Sequence, residues 1–298
     1  VICLVGLLAG CGQKEPPTPK LLLYSGAGIR PATEALADRF QQLHHVEIEC
    51  DFAGSAVLLN RMELTRRGDL FMPGDIQYIH QAEDMGMVED YKMGCYFLPV
   101  ILVQQGNPSD IKSLQDLTKP GIRLALGNAR SCAIGRRTLK LFEKNDIAME
   151  QVEPNVVMEC MTVTELGSEV KLGMVDAAIV WDAVAAHFPD DCEVVRIPHR
   201  KNVISKVAAA ALSSSRYPEL TEQFLDFVSS KEGEKIFRQH HFTVSLDEGA
   251  TAALEEGEAS SKKSTESDAA EEPLPDDASA ETAEQEEAGA DAPASTPQ

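Results

Sequence analysis

Four short turns in this sequence carry residues able to hold an anion: Ser25-Gly26-Ala27-Gly28, Ala53-Gly54-Ser55-Ala56, Ser131-Cys132-Ala133-Ile134-Gly135 and Met161-Thr162-Val163-Thr164. Each is small or hydroxyl-rich, and each precedes a helical pattern. The first N–H groups of a helix have no partner inside it and carry partial positive charge, so several converging N-termini make an anion site without any cation. One such turn is explained by ordinary capping with Ser or Thr. Four of them in one fold raise a second reading, a cleft for an anion or another polar ligand.

Other candidate chemistry is thinner. Gly26-Ala27-Gly28-Ile29-Arg30-Pro31 follows a strand, and Glu47 or Glu49 lies about 20 residues on, as in a dinucleotide fingerprint, but Pro31 stands where the third glycine should be. His44-His45 and His240-His241 are adjacent pairs, and neighbouring side chains do not share a helix face, so they read as solvated helix ends. Asp69 and Asp75 flank Pro73-Gly74 and read either as an acid pair or as turn caps. GxSxG, HExxH and Walker patterns are missing, so the sequence gives no support for an enzyme. Of the 7 cysteines, Cys50, Cys95, Cys132, Cys160 and Cys192 fall within the body of the chain; their spacing fits no zinc pattern. Two bridges and a thiol, one bridge and three thiols, or no bridge are all open.

The elements that must position the turns alternate. Lys20–Ser25 is a short apolar run ending in glycine, a buried parallel strand in form. Pro31 suits a first helical turn, and Ala35, Leu36, Phe40 and Leu43 continue at helical spacing. Strands are expected at 46–50, 69–72, 100–105, 122–126, 176–181 and 203–212. Helices are expected from Ser55 to Gly68, then at about 75–85, 135–144, 163–172, 218–229 and 232–240. Alternating β and α units argue for parallel-rich sheets with helices on both faces, an α/β fold. About 225 residues without a sustained repeat suggest two such lobes, with the apolar runs at 97–103 and 203–212 crossing between them.

Both ends differ from this body. From Asp247 to Gln298 there are 16 acidic residues against Lys262 and Lys263, which puts −14 of the chain's −21 in that stretch. Its only large apolar side chains are Leu254 and Leu274, too little to offset the entropy of ordering, so 247–298 reads as a disordered acidic tail. The acidic balance argues against nucleic acid, whose phosphates need clustered Lys and Arg. At the other end, VICLVGLLAGC is too short to span a bilayer but suits the apolar part of a secretory signal. Leu8-Ala9-Gly10-Cys11 resembles the bacterial lipobox, with cleavage before Cys11 and lipid attached to it; GQKEPPTPK then serves as a polar tether. Residues 1–10 are thus read as a signal remnant and 11–20 as lipidated Cys11 and its tether.

The body as a whole resembles the periplasmic molybdate-binding proteins, the substrate-binding components of ABC importers. The likeness runs through LLLYSGAGIRPATEALADRF, FAGSAVLLNRMELTRRGDLF, GNPSDIKSLQDLTKPGIRLALGNARSCAIG, GMVDAAIVWDAVA and LTEQFLDFVSSKEGEKIFRQHHFTV, over about residues 21–244. It implies a two-lobed, type II periplasmic-binding-protein-like fold that closes about a hinge on a dehydrated oxyanion. Lobe 1 would be 21–98 with 204–246, and lobe 2 would be 99–203. By position, Ser55 should give its hydroxyl and N–H to the ligand, while Ile134 and Val163 should give backbone N–H groups. Two positions depart from the family. Gly28 stands where the family has a serine, with Ser25 near enough to substitute, and Trp181 stands where it has a tyrosine, so that its indole N–H can donate but not accept. Arg30 and Arg130 border the turns as solvated side chains or as determinants of a more acidic ligand. The resemblance implies molybdate or tungstate as ligand, no cofactor or direct metal ligand, an ABC permease as partner, and a lipid-anchored monomer on the periplasmic or cell-surface side of a bacterial membrane. The same fold with a lost ligand, working as a scaffold or signalling lipoprotein, or binding another small anion, is the alternative.

Overall fold

The computed structural model describes residues 18–252 and 254–255. Cys11 with the signal and most of its tether, and the acidic stretch from 256 on, lie outside the described residues. The strands are β1 (Lys20–Gly26), β2 (Glu47–Ala53), β3 (Leu70–Met72), β4 (Val88–Phe97), β5 (Pro99–Gln104), β6 (Leu124–Gly127), β7 (Val156–Cys160), β8 (Ala177–Trp181), β9 (Cys192–Arg196) and β10 (Ser205–Leu212). The α-helices are α1 (Arg30–His44), α2 (Ser55–Thr65), α3 (Gln77–Asp84), α4 (Ala133–Lys144), α5 (Met149–Val152), α6 (Val163–Lys171), α7 (Asp182–Ala185), α8 (Pro218–Val228) and α9 (Lys231–Gln239).

These strands form two five-stranded sheets, in the orders β2-β1-β3-β10-β4 and β7-β6-β8-β5-β9. Both sheets are mixed. The pairs β1–β2, β1–β3, β6–β7 and β6–β8 are parallel, as the apolar runs of β1 and β8 predict. β10 runs antiparallel to β3 and β4, and β5 antiparallel to β8 and β9. The antiparallel members are those the chain uses to change sheets. It leaves the first sheet at Phe97, enters the second at Pro99, and returns to the first at Ser205.

β4, β7 and β9 are absent from the strand pattern read off the sequence. All three are edge strands with mostly half-buried or exposed side chains, so none presents a continuous apolar run. The longer helices follow the sequence pattern closely, whereas the four-residue α5 and α7 are absent from it. α1 turns Leu36, Ala37 and Phe40 inward, and Phe40 meets Phe224 and Phe227 of α8 at ring-centroid distances of 5.2 and 5.9 Å. None of the described helices is long and apolar enough to cross a membrane.

Two clusters of hydrogen bonds fix the crossings between sheets. The Asp182 carboxylate accepts from the Leu98 N–H at 3.1 Å and from the Thr243 hydroxyl at 3.1 Å, while the Asp182 N–H donates to the Leu98 carbonyl. On the return crossing, the Asn202 amide donates to the Pro99 carbonyl at 2.9 Å, and Lys144 donates to the Asn202 carbonyl. Burial pushes the Asp182 carboxyl above its ordinary pKa, against the pull of these bonds.

The boundary expected after Leu246 falls later in the structure. Helical backbone runs through 248–252 and 254–255, and Asp247 caps it by accepting from the Ala250 N–H at 2.8 Å. Ala250 is buried and Asp247 lies 3.2 Å from His199. A cap and one small buried residue suffice to hold a short helix that hydrophobic content alone does not reveal. Truncation after Leu246 is therefore expected to lower unfolding free energy by about 1–2 kcal/mol, the range of a lost cap. Truncation after Ala259 should change it little. Urea titrations of the two truncated proteins and the full chain check this; equal midpoints for all three would show that the capped helix contributes nothing.

Candidate functional site

All four sequence-marked turns meet at one small cavity between the two sheets. Gly26, Ala27 and Gly28 reach it from the end of β1; Ala53, Gly54 and Ser55 from the start of α2; Gly74 from the loop after β3. From the other side come Cys132, Ala133 and Ile134 at the start of α4, Thr162 and Val163 at the start of α6, and Trp181 at the end of β8; Phe97 completes the lining. The cavity volume is about 20 Å³, which suits one compact species.

The donors are mostly backbone. Ser55 is the first residue of α2, Ile134 the second of α4 and Val163 the first of α6. Their N–H groups precede the helical ladder, which in α2 begins with the bond from the Leu58 N–H to the Gly54 carbonyl. The Ser55 hydroxyl adds a side-chain donor. Its oxygen accepts from the Gly74 N–H at 3.0 Å, which leaves its single proton free to point into the cavity. Thr162 serves the helix rather than the cavity. Its oxygen caps α6 by accepting from the Glu165 N–H, while the Glu165 carboxylate accepts from the Met161 and Thr162 N–H groups.

Among the described residues, no lysine, arginine, aspartate or glutamate lines the cavity. Cys132 sits at an N-terminus, a place that normally lowers a thiol pKa, but burial dominates and pushes it up to about 11. The thiol is therefore neutral at ordinary pH and does not repel an anion. Cys50, Cys95, Cys132, Cys160 and Cys192 are all free thiols.

Five of the six expected ligand-binding residues, Gly28, Ser55, Ile134, Val163 and Trp181, line this cavity. Ser25 does not. Its side chain is fully buried, and its hydroxyl shares a 2.8 Å hydrogen bond with the Thr33 hydroxyl of α1, so it cannot replace the serine missing at position 28. Trp181 is 2% exposed, and it stacks on Phe97 with centroids 4.8 Å apart and planes within 4°. Arg30 is exposed, pairing with Glu34 and lying over the Phe52 ring, and Arg130 is exposed. Asp69 and Asp75 do not pair. Asp69 accepts from the Leu22 N–H and the Ser215 hydroxyl, whereas Asp75 pairs with Arg137. Among the described residues no group of three or more His, Cys, Asp or Glu side chains could hold a metal. Gly74 and Phe97 were not marked as ligand-facing by the sequence, since the folding that brings them here is long-range.

The two sheets touch directly at the rim. The Ala56 N–H donates to the Ser131 carbonyl at 3.1 Å. A Cβ on Gly54 would lie 2.4 Å from the Ser131 carbonyl oxygen and 2.9 Å from that of Met161, both backbone atoms. A Cβ on Gly28 would lie 2.7 Å from Val163 Cγ1 and 3.3 Å from Trp181 Cδ1. The space beside Gly28 is thus filled from the opposite lobe by Val163 and Trp181.

A family model described as bacterial extracellular solute-binding protein matches residues 21–243, which contain every turn just described. The chain belongs to that family. Its members are the extracytoplasmic solute-binding components of ABC transporters and not enzymes. The molybdate-binding protein ModA of Mycobacterium tuberculosis is 26% identical over 250 residues, 80% of this chain and 94% of that protein. Among solved structures, the sulfate-binding protein SubI of M. tuberculosis has a TM-score of 0.69 at 17% identity, covering 78% of this chain and 90% of that one. The periplasmic molybdate-binding protein of Azotobacter vinelandii has a TM-score of 0.63 at 15% identity, covering 76% and 100%. At those identities the two structures show the fold alone.

For a solute-binding protein of this fold, the Gly54 contact makes a specific demand. Gly54 has φ −63° and ψ 143°, which alanine adopts without strain. Gly54→Ala should therefore cost folding less than about 1 kcal/mol, yet hold the lobes apart at the rim. Acrylamide quenching of Trp181, the only tryptophan in the chain, is expected to rise in the variant while the thermal midpoint stays close to that of the parent. Unchanged quenching would show that the rim tolerates a methyl group.

Proposed function

We propose that this protein captures a tetrahedral oxyanion, molybdate or tungstate, in the cleft between its lobes and delivers it to an ABC permease. It works as a monomer, lipid-anchored through Cys11, on the periplasmic or cell-surface side of a bacterial membrane, and it uses no cofactor. The observation that carries this reading is the donor set. Three helix N-termini and the Ser55 hydroxyl face one compact space lined by no charged side chain among the described residues. Such a site offers donors only, so it selects an anion whose oxygens all accept and disfavours protonated or zwitterionic ligands. Similarity to ModA of M. tuberculosis supports molybdate within this class.

Binding follows from the geometry. Ser55 and its N–H lie on one lobe, and the amides of Ile134 and Val163 lie on the other. An anion that satisfies both sets must sit between them, so it binds the closed state better than the open one and shifts the population by that difference. Trp181 adds an indole N–H at the cavity wall, and its stacking on Phe97 links the wall to the crossing between lobes.

Molybdate and tungstate are nearly equal in size and larger than sulfate, so rigid helix N-termini should group the first two together. Calorimetry of dialysed protein against molybdate, tungstate, sulfate and phosphate is expected to show tight binding of the first two and weak binding of sulfate. A large response to sulfate alone would reassign the ligand, and no response to any oxyanion would favour a scaffold or signalling role.

Ser55→Ala removes one donor to a charged acceptor. It should weaken oxyanion binding by roughly 1.5–3 kcal/mol and lower folding stability by about 1–3 kcal/mol, because the buried Gly74 N–H loses its acceptor. Equal affinity of variant and parent would place the anion away from α2.

A further inference from the structure

Beside the cavity, a buried ion pair joins the two lobes without touching the ligand space. Asp75, two residues after Pro73 in the loop following β3, pairs with Arg137 of α4. Their side chains are 3% and 15% exposed. Asp75 is held from its own lobe as well: the Ser205 hydroxyl donates to it at 2.7 Å and the Gln77 N–H at 2.9 Å. Burial opposes its ionisation, but the charge and hydrogen bond of Arg137, with these other donors, keep the carboxyl below its ordinary pKa.

The neighbouring Arg136 makes a second contact of the same kind. It leaves α4 to lie over the Tyr78 ring of α3, 5.1 Å from the centroid. Two consecutive arginines on a lobe 2 helix thus reach two lobe 1 partners. The ion pair is also tied to the ligand space through the backbone on each side. Gly74, whose N–H orients the Ser55 hydroxyl, directly precedes Asp75, and Arg137 lies one turn beyond Ala133 at the cavity wall.

We propose that the Arg137–Asp75 pair is an interlobe latch, a positioning pair that stabilises the closed state and thereby sets how long the ligand stays. The proposal rests on the solute-binding reading of the cleft but not on which anion it takes. When the lobes part, Arg137 and Asp75 regain water, so opening relieves the desolvation that the pair must overcome when closed. When the lobes close, α4 arrives with its N-terminal amides facing the anion and its arginine facing Asp75. Ligand capture and pairing are therefore the same movement.

The test uses full-length protein with Arg137→Gln, Arg137→Lys and Asp75→Asn. Acrylamide quenching of Trp181 in ligand-free protein is the first readout, since it reports opening whatever the cleft binds. Quenching is expected to rise in Arg137→Gln and Asp75→Asn and to return most of the way in Arg137→Lys, with circular dichroism unchanged. Stopped-flow fluorescence with sodium molybdate is the second readout: dissociation should quicken by about tenfold or more, the scale of a broken buried pair, with association altered much less. If molybdate fails to bind the parent protein, the choice of anion is wrong and the quenching result alone decides the latch. Unchanged quenching in both charge-removing variants would overturn the latch, and would show a pair that holds the same geometry in open and closed states.

Discussion

An anion gives up water only where fixed donors replace its hydration, because a buried charge without partners is prohibitively costly. In the function proposed for this protein those donors are the first amides of α2, α4 and α6, helices that flank two different sheets. Most of the architecture follows from that need. The parallel strands β1, β6 and their neighbours place helix N-termini at one end of each sheet, and the crossings at Leu98 and 197–204 set the two ends face to face. Neither lobe carries all three of these helix N-termini.

The same requirement explains the small residues around the cavity. Gly54 lets the backbones of the two lobes come within contact distance, and Gly28 leaves its place to Val163 and Trp181. At position 28, close packing from the opposite lobe takes the space that a side-chain hydroxyl would need. Side-chain hydroxyl donation then falls to Ser55, whose oxygen is already occupied by the Gly74 N–H. Preorganisation of that kind lowers what must be ordered when the ligand arrives.

Local pattern in the sequence revealed a large part of this. The apolar runs of β1, β8 and β10, the helical spacing of α1 and the turns before α2, α4 and α6 are all short-range features, and the site inherits its amides from them. What the sequence did not reveal depends on distance or competition. Asp75 reads as a turn cap or as half of an acid pair because its partner Arg137 is 62 residues away. Ser25 reads as a cleft donor because nothing local shows that Thr33 engages its hydroxyl. The edge strand β7 exposes alternate side chains and β9 exposes Glu193, Val194 and Arg196, so both lack the apolar continuity that marks their buried neighbours. The helix after Asp247 is held by one cap and one alanine, a signal too small for composition to register.

The central claim is that one oxyanion is held by helix N-termini from both lobes at once. The direct test is a crystal grown with tungstate and measured at a tungsten absorption edge. The account predicts one dominant anomalous peak inside the cleft, with its oxygens about 2.7–3.1 Å from the amide nitrogens of Ser55, Ile134 and Val163. A dominant peak on surface lysines or arginines, or one bound to the residues of a single lobe, would contradict it.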